Sequence, residues 1–190
     1  IDYSIEGLEE RIKNLRDSLG SLNLRRKSAE AQKEMLMNEI KRTRQELGNI
    51  EKELIFLEKE YQRASAELKG LIIRRDNFSK CDIPRISALF STGICPLLNI
   101  RCPLIREFKD KGITPESIIR DRMNEFEKEL ESLHKIINAY EEKRRTRDLL
   151  QKQLGNLEEQ IKGVEDELDK IIKEIENKKR SLAEDEEKLS

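Results

Sequence analysis

"STGICPLLNIRCPLI", residues 91–105, decides the fold of this chain. Two Cys-Pro-Leu triplets and a glycine interrupt a sequence that on both sides is dominated by Leu, Ile, Glu and Lys. Proline lacks a backbone donor and clashes with the preceding helical turn, so a continuous helix through this stretch is not expected. All four prolines, Pro84, Pro96, Pro103 and Pro115, lie between residues 72 and 118.

On the N-terminal side, apolar residues recur at steps of three and four from Ile5: Leu8, Ile12, Leu15, Leu19, Leu22, Ala29, Leu36, Ile40, Leu47, Ile50, Leu54, Leu57, Tyr61, Ala64, Leu68 and Leu71. Only Arg26, Lys33 and Thr43 interrupt them. A strict seven-residue repeat over this distance signals a coiled coil, about 100 Å long at ~1.5 Å per residue. A second run begins at Ile119 and passes through Met123, Phe126, Leu130, Leu133, Ile137 and Tyr140. After Arg144 and Arg147 it resumes at Leu150, Leu154, Leu157, Ile161, Val164, Leu168, Ile171, Ile175, Leu182 and Leu189, with one phase slip between 147 and 157 that marks a candidate bend.

Two arms of nearly equal length around a proline-rich centre predict an all-α fold: a long antiparallel intramolecular coiled-coil hairpin with a short irregular Cys/Pro-containing apex. Residues 1–71 form the ascending arm, 72–118 the apex and 119–190 the descending arm. At that symmetry residue x faces roughly residue 190 minus x. "GITPES" (112–117) reads as the start of the second arm, with Thr114 as N-cap and Pro115 at the first helical position. Heptads alone also allow a parallel homodimer through each arm.

Composition excludes a thick core: 41% of residues are charged, 36% hydrophobic and 4% aromatic, with no Trp. The formal net charge of -1 gives the whole chain no pull on nucleic acid or membrane, so any such attraction is local. No stretch approaches the roughly 18 apolar residues of a membrane helix, and no membrane partner is expected. Ile1, Asp2 and Tyr3 lack an initiator Met and a signal-peptide pattern, so the chain reads as a piece of a longer intracellular protein of cytoplasm, nucleoid or nucleus. There is no Gly-rich phosphate loop and no Ser-His-Asp or paired-carboxylate arrangement with a cleft to work in, so catalysis by these residues is not expected.

The basic segments "KRTR" (41–44) and "KRRTR" (143–147) would face each other in a hairpin of that symmetry. Lys41, Arg42, Arg44, Lys143, Arg144, Arg145 and Arg147 would then cluster mid-arm as a candidate nucleic-acid contact, unless Glu46, Glu141, Glu142 and Asp148 neutralise them.

Chemistry concentrates in the apex. Cys95 and Cys102, separated by six residues, each precede a proline, and Cys81 lies upstream in "SKCDIP". Thiolates are strong zinc ligands, but a structural site takes four, and the only His, His134, lies well into the second arm. One protomer therefore does not close the set, whereas Cys95 and Cys102 from each of two protomers do. Two other readings stand beside a shared zinc (Zn2+) site. The thiols pack as small hydrophobes in an apolar contact made by Ile94, Pro96, Leu97, Leu98, Ile100, Pro103 and Leu104, or they form a redox pair. Cys81 is either a further ligand or the last residue of a distorted helix.

A long antiparallel coiled coil whose tip carries Cys-Pro elements resembles the zinc-hook region of the SMC-like DNA-repair ATPases, partners of double-strand-break nucleases. In that family two hooks share one zinc ion through paired cysteines and join two coiled coils tip to tip. The resemblance implies Cys95 and Cys102 as hook ligands, a homodimer through the apex, and a parent complex that acts with DNA and a nuclease in repair, chromosome maintenance or DNA defence. The family's hook has two residues between its cysteines; this chain has six and adds Cys81. The competing class is a structural tether with no ATPase.

Overall fold

The structure is a computed structural model, and it describes residues 4–190; the reading of Ile1, Asp2 and Tyr3 as an internal start lies outside them. The fold is an all-α helical hairpin. Helix α1 (Ile5–Asn77) leads through a π-helical turn (Phe78–Asp82) into α2 (Ile83–Thr92). A loop carries the short α3 (Ile105–Asp110), and α4 (Pro115–Leu189) returns. Helix-favouring Leu, Glu, Lys, Arg and Ile fill both long helices, and burial of the heptad stripe holds them.

The chain divides into two units, Ile1–Ile50 with Thr146–Ser190 and Glu51–Arg145. In the first, Leu19 and Leu22 pack with Ile171 and Ile175, and Ala29, Leu36 and Ile40 pack with Leu157, Val164 and Leu168. In the second, Leu71 and Phe78 pack with Phe126 and Leu130, and Tyr61 stacks on Tyr140 with ring centroids 4.1 Å apart. These are heptad positions, apart from Phe78. At the ends of the pattern Ile5 and Leu189 are exposed.

Polar seam residues find partners across the helices: Lys33 lies 3.5 Å from Glu165, and Lys178 donates to the Ser18 hydroxyl at 2.6 Å. Arg26 instead pairs along its own helix with Glu30 at 3.7 Å. Thr43 is buried, and so is Asp185, a seam position that the run of leucines conceals.

The first arm's helix persists to Thr92 and stops there, at the head of the 91–105 stretch, with Pro84 carried just inside α2. The π turn is the reason. Its closing bond runs from the Ile83 amide to the Phe78 carbonyl, a wider ring than the α-helical one, and such a bulge relieves the clash that proline makes with an α turn. The second arm starts as expected. The Ser117 amide donates to the Thr114 hydroxyl and the Thr114 amide to the Ser117 hydroxyl, each at 3.1 Å, a reciprocal cap ahead of Pro115.

One sequence expectation, the register, needs correction. At 190 minus x, Arg44 would face residue 146, Lys143 residue 47 and Phe126 residue 64. Instead Arg44 pairs with Glu158, Lys143 with Glu53, and the Phe126 ring meets Phe78. The displacement is roughly two to four helical turns. α2 ends at Thr92 and α4 begins only at Pro115, with α3 inserted on the returning side, so the chain between the long helices is centred past the midpoint of the sequence and the pairing is displaced in that direction.

Candidate functional site

The apex loop is built by two left-handed residues and one bridge. Gly93 ends α2 with φ 71°, a conformation that needs no Cβ, and its amide donates to the Leu89 carbonyl at 2.8 Å. Asn99, φ 54°, turns the chain back, its amide donating to the Cys95 carbonyl at 2.8 Å. Between them Ile94 and Arg101 pair as an isolated antiparallel bridge. The Cys95 amide donates to the Ile100 carbonyl at 2.7 Å, and the Cys102 amide to the Gly93 carbonyl at 2.9 Å.

This bridge relates the two cysteines. Each follows a member of the bridged pair, and the Cys95 and Cys102 amides make the two hydrogen bonds that flank it. Both thiols are free and half-buried; Cys81, also free, is exposed on the π turn. Among the described residues no group of three or more His, Cys, Asp or Glu side chains converges on one point. His134 is exposed on α4.

The apolar residues named from the sequence are largely outside. Ile94 is 41% exposed, Leu97 72%, Leu98 69%, Ile100 56% and Leu104 50%. Pro96 and Pro103 are exposed with them. Behind the loop Phe90 and Phe108 stack at 6.4 Å between centroids and anchor α2 against α3.

The basic segments meet acidic partners. Arg44 is hydrogen-bonded to Glu158 at 3.1 Å, Lys143 to Glu53, and Arg147 to Asp148 at 3.1 Å. Lys41, Arg42, Arg144 and Arg145 are exposed. Lys41, Arg42, Arg44 and Arg147 belong to the first unit, and Lys143, Arg144 and Arg145 to the second. Within the first unit Arg44 pairs with Glu158 and not with residue 146. No described helix is long and apolar enough to cross a membrane. No known protein family, curated protein or solved structure matches this chain.

Proposed function

We propose that this chain is a structural tether that joins two copies apex to apex, as the coiled-coil and hook segment of an SMC-like ATPase serving DNA repair, chromosome maintenance or DNA defence. One observation supports this reading above the others: the loop that reverses the chain offers five large apolar side chains to solvent beside two half-buried free thiols. A contiguous exposed apolar patch marks an interaction site.

The donor set fits zinc as a half-site. Cys95 and Cys102 would bind as thiolates from each copy, giving the four sulfurs of a closed tetrahedral centre. Zinc held there would supply a cross-link without redox chemistry. The chain's own residues would hold the thiols on the loop braced by the Ile94–Arg101 bridge, beside the exposed apolar side chains of the apex. Nucleotide hydrolysis and the nuclease partner belong to other parts of the parent assembly, and DNA contact along the arms falls to the exposed Lys41, Arg42, Arg144 and Arg145. The same exposed leucines favour a second reading, in which the apolar apex dimerises without metal.

Metal content per protomer, with mass in solution before and after chelation, separates these. Zinc near one-half per chain and a dimer that becomes monomer on chelation are expected of the shared hook. A metal-free dimer assigns the contact to the apolar side chains alone, and a metal-free monomer rejects the tether.

A further inference from the structure

Beside the apex, in the second unit, lies an open groove of about 450 Å³. Phe78, Ile86, Leu89 and Ile118 form its apolar walls, and the Cys95–Leu97 segment forms its edge. Resting on the tether reading above, we propose that this groove receives the Leu97–Leu98 knob of the second copy, so that the dimer is held by two reciprocal knob-in-groove contacts rather than by flat abutment of the loops.

Three observations select a second copy as the occupant. The first is area. Five Leu and Ile side chains, each worth on the order of 60–120 Å² when fully buried, give at most ~300–600 Å². A stable interface takes about 800 Å² from each partner. The loop alone falls short, and the groove walls are the apolar surface continuous with it.

The second is adjacency. Leu97 protrudes at the mouth of the groove that its own protomer carries. Under two-fold symmetry the same patch serves both partners, and a knob next to a groove is then self-complementary: each knob enters the other copy's groove. The third is charge. Residues 95–100, CPLLNI, carry none. The charged groups at the groove already have partners within the chain: Arg85 with Asp82 at 3.7 Å, and Arg122 with Glu125 at 2.7 Å and over the Phe126 ring at 4.4 Å. Such a rim calls for a neutral occupant.

The test uses the full chain and two variants, Leu89→Gln, which makes the groove polar, and Leu98→Gln, which makes the knob polar. Each homodimer then contains two impaired contacts. A mixed dimer contains one intact contact, knob of the Leu89→Gln copy in groove of the Leu98→Gln copy, and one contact impaired on both sides. Where two residues touch, their effects are non-additive. Isotope-labelled and unlabelled variants are mixed and weighed by native mass spectrometry. Heterodimer above about four-fifths of the dimers, or a dimer from two variants that are each monomeric alone, supports the groove. The statistical one-half, or a mixture as monomeric as its components, overturns it while a dimeric parent chain leaves the tether standing. A monomeric parent chain rejects the tether, and the groove contact with it.

Discussion

Replacing Asp185 by leucine is expected to stabilise the chain, and replacing its partner Arg11 by alanine to destabilise it. Asp185 occupies a seam position between Leu182 and Leu189, its side chain 3% exposed. Its Oδ2 lies 3.3 Å from Arg11 Nη2 yet accepts no aligned hydrogen bond, so the contact is one of charges only. Arg11 is 54% exposed, which screens the attraction to about 0–1 kcal/mol. Against that stands the desolvation of a carboxylate, which a pair of this quality does not recover.

Leucine at 185 removes the buried charge and continues the apolar stripe, while the arginine left behind is already solvated. The net gain expected is about 1–3 kcal/mol, or ~2–4 °C in Tm for each kcal/mol in a chain of this size. Arg11→Ala removes only that screened attraction and should lose up to about 1 kcal/mol. Denaturant unfolding followed by circular dichroism reads both. Opposite signs are the signature; a loss of more than about 1 kcal/mol in Asp185→Leu would refute the reasoning and mean that the carboxylate makes a net stabilising contact.

The joint substitution Cys95→Ser and Cys102→Ser should abolish zinc binding and, on the shared-hook reading, dissociate the dimer; an unchanged mass by light scattering refutes metal dependence. The apex contact should tighten a few-fold between about 0.1 M and 1 M salt, because residues 69–122 hold eleven Lys and Arg against six Asp and Glu and two such tips repel until screened. An affinity that falls with salt in analytical ultracentrifugation would instead place ion pairs across the contact. Phe126→Ala removes a ring that is 2% exposed and packed on Phe78, a loss of about 3–5 kcal/mol. Hydrogen exchange should show residues 68–133 losing protection, and unchanged protection there would mean that Phe126 does not anchor that core.

Heptad phase was legible because each apolar position repeats a local rule, and Thr114-Pro115 was legible because a cap is built from adjacent residues. Register was not. A seven-residue repeat pairs almost equally well with itself after sliding one heptad, so the choice falls to where the long helices end and restart, at Thr92 and Pro115 around α3. The π turn ahead of Pro84 carries no sequence signal of its own, because the proline rule describes an α turn. Asp185 was hidden among the flanking acids of "AEDEEK", since only the spacing from Leu182 marks it as seam. The groove joins faces of α2 and α4 that are separated in sequence, and no motif announces such a juxtaposition.

The six residues between Cys95 and Cys102 acquire a physical meaning from the bridge. Each cysteine follows a bridged residue, and on the shared-hook reading it is this bridge that would bring the two thiols to one face. Pairing of the thiols should then depend on backbone parity and not on distance along the chain. One glycine inserted between Arg101 and Cys102 moves that cysteine to the opposite face, and a second glycine returns it, because side-chain direction alternates with period two. With both thiols present throughout, the single insertion is expected to lose zinc and the double insertion to regain most of it, measured as metal per chain after dialysis. Equal zinc in all three chains would refute the bridge as the element that pairs the thiols and would assign that role to a loop free to bring Cys95 and Cys102 together in any register.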